Sequence, residues 1–135
     1  MHAAPQPLTP PPARPTSDHA AVALKAYGRI AQAWELRLED AAALADMSTS
    51  TWKRARNPGF KGDLTRDQML RLSALVGIYK SLHLYFDDAI ADSWITLANT
   101  GPLFDGTRPI DTMIEDGLPQ FLRVRSYVDA LRGGM

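Results

Sequence analysis

The chain has 135 residues, 45% of them hydrophobic, with 15 acidic and 15 basic side chains, which suits one compact core with a tail or two small modules packed as one. It has no cysteine, which excludes disulfides, thiolate metal sites and thiol nucleophiles. No run of about 18 apolar residues reads as a transmembrane helix, the N-terminus lacks the apolar core of a secretory signal, and a cytoplasmic protein is expected.

Residues 1–17 carry six of the ten prolines and little to bury, so a disordered tail is expected there. Ser17-Asp18 then offers an N-cap, and a helix is predicted to about Trp34, with Val22, Ala26, Ile30, Ala33 and Trp34 at helical spacing. A second, shorter helix is predicted from about Leu38 to Ala45 and a third from about Ser48 to Asn57, where Asn57-Pro58-Gly59 stops it. Thr65-Arg-Asp-Gln68 is a capping box in front of a long helix whose apolar face holds Leu72, Leu75, Val76, Tyr79, Leu82, His83 and Phe86. Gly77 lies inside that helix at a cost of about 1 kcal/mol against alanine, which suggests close approach by another helix. Asp87-Asp88 is read as the cap of a fifth helix reaching about Leu97. A loop with two glycines and two prolines runs from Asn99 to Pro109. A short helix follows from about Ile110 to Asp116, and a last one runs from Leu118 to just before Gly133-Gly134, with Pro119 in its first turn. Nothing reads as a strand, and the fold class expected is all-α.

The second and third helices have the pattern of a helix-turn-helix. Ala42 is the small residue where two helices touch, and Ala41, Ala45, Met47, Trp52 and Ala55 supply the facing apolar positions. Ser48 would cap the second helix of the pair and leave Thr49, Ser50, Lys53, Arg54 and Arg56 as candidates to meet a DNA groove or its phosphates. Asp46 occupies the turn position that usually takes a left-handed glycine. Charge is unevenly spread. Residues 48–71 hold six cations against two acids, while residues 87–118 hold seven acids against Arg108 alone, so a polyanion and a basic protein are both conceivable partners.

Catalysis finds little support. His2, His19 and His83 do not pair with other ligand types at metal-binding spacing, and His83 reads as a core or interface residue. No nucleophile elbow, P-loop or H-E-x-x-H is present. Asp111 and Glu115 share a helix face without a plausible metal partner. A non-enzymatic chain with neither metal nor cofactor is expected.

Several segments together carry a family resemblance. These are Leu64 to Leu82 with its Gly77-Ile-Tyr-Lys80 block, Trp94 with Asn99, Pro102-Leu-Phe-Asp-Gly106, Pro109-Ile-Asp111, and the ending Val124 to Gly134. Over roughly residues 20–134 the chain resembles the Xre/MbcA/ParS antitoxins. The resemblance implies an N-terminal Xre-like helix-turn-helix module, here residues 18–64, packed with a C-terminal toxin-binding and dimerisation domain, residues 65–135. It also implies a partner toxin of the RES-domain type that consumes NAD by degradation or ADP-ribosyl transfer. The antitoxin would bind as a homodimer within a hetero-oligomer, close the toxin's NAD pocket, and in many members bind its own operator. Carried over by motif, the toxin-facing positions are Trp94, Asn99, Gly106, Arg108, Pro109, Asp111, Arg125, Tyr127 and Arg132, with the Gly133-Gly134 end. Tyr and Arg suit such a surface because they combine broad contact area with donors. Leu97-Ala98 stand where the family commonly has Arg-Pro, which loosens the start of the loop. A stand-alone helix-turn-helix regulator is the alternative reading, and a purely structural dimerisation protein a third.

Overall fold

The computed structural model describes residues 17–133, and these form helices, turns and loops without a strand. The helices are α1 (Ser17–Ala33), α2 (Leu38–Leu44), α3 (Thr49–Ala55), α4 (Arg66–Tyr85), α5 (Asp88–Ser93), α6 (Pro109–Asp116) and α7 (Leu118–Arg132), with a 3-10 turn at Trp94–Thr96 continuing α5. The chain is all-α, as its periodicity requires. The Pro-rich stretch expected to be a tail lies outside the described residues, apart from Ser17, which is the first residue of α1.

The caps fix where the elements start. Ser48 Oγ accepts from the Thr51 amide at 3.1 Å at the head of α3. At the head of α4 both halves of the capping box form: Gln68 N donates to Thr65 Oγ1 at 3.0 Å, and Thr65 N donates to Gln68 Oε1 at 2.9 Å. The Gln68 amide also donates to the Asp46 carbonyl at 3.0 Å, so one side chain joins the start of α4 to the turn between α2 and α3. Pro109 opens α6 and a proline stands in the first turn of α7, where a missing N–H costs nothing.

Helix α4 is the central element, packed between α1 and, over a longer contact, α7, while α2 rests on α6. Its central position explains why burial extends beyond one stripe to Leu72, Ala74, Leu75, Ile78, Ser81 and Leu82. Ser81, polar and buried, donates to Asp129 of α7 at 2.5 Å, which satisfies a hydroxyl that would otherwise be costly to bury.

Three expectations about faces are corrected. On α1 the buried side chains are Ala20, Leu24, Tyr27, Ile30, Ala31 and Trp34, while Val22 is 69% exposed. The face is rotated because Tyr27 can be fully buried, its hydroxyl donating to the Ala41 carbonyl at 2.7 Å. Burial, with a smaller contribution from Asp40, pushes its phenol far above the ordinary tyrosine range. On α4, His83 is only partly buried and is held between two carboxylates, Nδ1 3.0 Å from Asp88 and Nε2 2.8 Å from Asp92. Asp88 therefore serves His83 and lies inside α5, while Asp87 takes the N-cap position without a side-chain capping bond.

Candidate partner-binding and nucleic-acid interfaces

Two surfaces gather the residues with chemistry to offer. The first is the helix-turn-helix of α2 and α3. Ala41, Ala42, Leu44, Ala45, Trp52 and Ala55 are buried and Met47 packs against them, so the apolar positions of the pattern form the contact between the two helices and the rest of the core. Trp52 stacks at 5.0 Å, tilted, on Tyr27 of α1, which fixes α3 against the N-terminal helix. Asp46 takes the left-handed conformation at φ 57°. With α3 seated this way, Thr49, Ser50, Lys53, Arg54 and Arg56 are all exposed. They offer hydroxyl donors at the N-terminal end of α3 and cations towards its C-terminal end, and no acidic residue lies within α3.

The second surface is built by the segment from Asn99 to Thr107 and its supports. Asn99 N donates to the Thr107 carbonyl at 3.0 Å and Gly106 N donates to the Asn99 carbonyl at 2.8 Å, closing the loop on itself. The Asn99 side chain accepts from Gly101 N at 2.7 Å. Asp105 and Gly106 both have positive φ, 51° and 81°, while Thr107 N donates to Phe104 O at 3.0 Å, the requirements of a tight turn for which Asp-Gly is a strong signal. Under the loop, Trp94, Phe104 and Tyr127 form an aromatic cluster. Phe104 meets the other two edge-on at 5.6 and 5.4 Å, and Trp94 stacks with Tyr127 at 6.2 Å. A Cβ at Gly101 would lie 2.9 Å from both the Tyr127 hydroxyl and Asn99 Oδ1, so a larger residue there would have to displace one of these side chains. The loop is thus stapled in place although Leu97-Ala98 precede it.

The structure brings Trp94, Asn99, Gly106 and Tyr127 into this one platform. Trp94 is 9% exposed and Pro109 is buried, so these two shape the platform from beneath, whereas Gly106 and Asp111 are exposed and Arg108 and Tyr127 half-buried. Arg108 clamps Asp111 through Nε at 2.8 Å and Nη2 at 2.7 Å. That bond, more than the surrounding charges, holds the Asp111 carboxyl below the usual carboxylate range. Across α2, Arg37 forms the same kind of pair with Asp40 at 3.1 Å, so two carboxylate–guanidinium pairs stand near one another where the N-terminal helices meet α6. Sequence reading missed this second pair and the carboxylates around His83. The i, i+3 spacing of Arg37 and Asp40 was the available signal.

Arg125 stands apart from the loop platform. Its guanidinium lies over Gly77, where an added Cβ would come within 2.6 Å of it, and Asp129 is 4.0 Å from its Nε. The glycine inside α4 therefore leaves room for the guanidinium of Arg125 from α7, and not for close approach of the helix itself. Arg132 closes α7 and Gly133 is its C-cap, exposed to solvent, while Gly134 lies outside the described residues. Among the described residues no group of acidic and histidine side chains has the arrangement of a metal site, and no helix is long and apolar enough to cross a membrane.

Residues 13–77 match the family described as the antitoxin Xre-like helix-turn-helix domain. Along most of its length the chain is also similar to a protein of Sinorhizobium fredii (strain NBRC 101917 / NGR234) described as uncharacterized protein y4oB, with 38% identity over 124 residues that span 89% of this chain and 93% of that one. No solved structure matches the chain.

Proposed function

We propose that this chain, whose residues 13–77 match the antitoxin Xre-like helix-turn-helix domain, neutralises a toxin by direct binding through its C-terminal surface. The observation that carries this reading is the stapled Asn99–Thr107 loop on its aromatic base, flanked by the Arg108–Asp111 pair. A loop fixed by its own hydrogen bonds binds without a large ordering cost. Tyr127, Arg108 and Arg125 are residue types that dominate protein interfaces.

The toxin in this reading is a RES-domain protein that consumes NAD or transfers ADP-ribose. The antitoxin, as a homodimer within a larger hetero-oligomer, covers the cleft in which NAD would bind. The Arg side chains would meet carboxylates of the cleft or occupy space meant for phosphates. Gly133 and Gly134, which carry no side chain, would let the end of the chain enter a narrow cleft. The test is genetic and then biochemical. The reading frame beside this gene should encode such a toxin, the two proteins should co-purify, and deleting this gene alone should arrest growth. Normal growth of cells that keep the neighbour and lack this gene would refute the reading.

A second role rests on the exposed face of α3. With Thr49, Ser50, Lys53, Arg54 and Arg56 all facing solvent, the helix-turn-helix is suited to the operator of its own operon, in the antitoxin or as a stand-alone regulator. Phosphate contacts make such binding salt-sensitive. Replacing Lys53, Arg54 and Arg56 by alanine should abolish a shift of operator DNA and leave toxin neutralisation intact. Operator binding by the free antitoxin with no toxin partner in the genome would favour the regulator.

A further inference from the structure

The N-terminal module carries a groove of about 830 Å³ between α1, the end of α3 and the 57–60 turn, on the part of the chain the neutralisation reading does not use. Its floor is apolar, with Leu24, Trp52 and Ala55 buried and Leu36, Leu38 and Phe60 half-buried, while Gln32, Asn57 and the basic side chains make the exposed lining as polar as it is apolar. The charged side chains on it are Lys25, Arg29 and Arg56, with no acid among the lining residues. All three are exposed, and among the described residues none has a carboxylate within ion-pair distance. Arg37, Arg71 and Arg108 each hold an aspartate, while Arg54, Arg66 and Arg123 lie outside the groove and form no such pair among the described residues either.

Gly28 provides a second observation. It sits in the middle of α1, lines the groove, and a Cβ built on it would meet nothing within 4 Å. A glycine inside a helix is unfavourable compared with alanine, and no packing among the described residues calls for it. Gly77 and Gly101, by contrast, each have a neighbour that a Cβ would strike. A site for a close-approaching chain, ringed by free cations over an apolar floor, accounts for Gly28.

We infer that this groove is a docking site for an acidic amphipathic peptide segment of another protein, apolar side chains entering between α1 and the 57–60 turn and carboxylates meeting Lys25, Arg29 and Arg56. The apolar floor distinguishes such a segment from a nucleic acid, whose backbone would meet the cations and leave the floor uncovered. Peptides of this kind place anchors at i, i+3 or i+4 and i+7 with charges between them.

The test is selection of a displayed library of random peptides of about 15 residues against the full chain, followed by fluorescence anisotropy with the enriched sequences. The enriched peptides should be acidic and carry spaced apolar anchors. Their affinity should fall by about tenfold or more with Gly28→Trp, which fills the groove, and with Lys25→Glu/Arg29→Glu, which reverses its rim. Gly28→Ala should retain the fold with a raised melting temperature, a control against a merely damaged helix. Both groove variants should still bind operator DNA as the unaltered chain does, if that chain binds it. Selection of peptides without acidic bias, or equal binding to the Gly28→Trp chain, would each overturn the assignment. None of these outcomes depends on the toxin, so the neutralisation reading stands or falls separately.

Discussion

Asp46 holds the turn of the helix-turn-helix at φ 57°, a conformation that costs a residue with a Cβ about 1–2 kcal/mol. Its carbonyl is held from the other side by Gln68, so the surrounding structure imposes the conformation. Asp46→Gly should therefore stabilise the chain by about 0.5 kcal/mol, the relief of strain being partly offset by the greater freedom of glycine when unfolded. A thermal melt monitored by circular dichroism checks this. Trp34 presents the opposite case, an indole 2% exposed whose Nε1 has no hydrogen-bond partner among the described residues. An unsatisfied buried donor carries a penalty of about 1–3 kcal/mol, so Trp34→Phe should lose no more than about 1 kcal/mol, well below the usual cost of trimming a buried tryptophan. A denaturant titration that gives 3 kcal/mol or more would mean that the indole N–H is satisfied after all.

At the scale of elements, the clearest dependence is of α7 on α4. Arg125 lies over Gly77 because there is no Cβ to displace it. Gly77→Ala should leave the helix at least as stable, since alanine favours helix by about 1 kcal/mol, while it pushes the guanidinium away from its seat. If Arg125 faces the toxin, affinity should fall by about fivefold or more without any loss of melting temperature. Unchanged affinity would place Arg125 outside the interface.

Element boundaries were largely legible from sequence, because they are set by local chemistry: the Ser48 cap, the Thr65–Gln68 box, Pro109 and the Asn57-Pro58-Gly59 stop each act within one turn of chain. Faces were less legible. Val22 has the right period for the core of α1 and yet faces water, because Tyr27 found a buried acceptor on α2, 14 residues away in sequence. Asp88 looks like a cap and binds His83 instead, across the bend between α4 and α5. The loop platform was legible as residue types, and the Asn99 staple that organises it was not, since that depends on where Thr107 and Tyr127 come to lie.

For the whole molecule, the apolar contacts form one cluster that runs from Ala20 to Val128. Helix α4 takes α1 and α7, and α2 rests on α6, so the helix-turn-helix and the C-terminal helices share the core. Unfolding should then follow one cooperative transition, with calorimetric and van't Hoff enthalpies equal. Two resolved transitions would show that the modules fold independently. The shared core also means that removing α7 would strip the long face of α4, so a shortened chain that fails to protect would say little about binding. Point changes on the exposed C-terminal surface are more telling.

The most direct test is the affinity of the purified chain for the product of the adjacent reading frame, the proposed toxin, measured by calorimetry for the unaltered protein and for Arg108→Glu/Arg125→Glu, with melting temperatures taken in parallel. The unaltered chain should bind tightly. The double variant should melt at nearly the same temperature and lose about a hundredfold or more in affinity, together with its ability to rescue growth. Equal binding and full rescue by the double variant, or the absence of any complex with the unaltered chain, would contradict neutralisation through this surface.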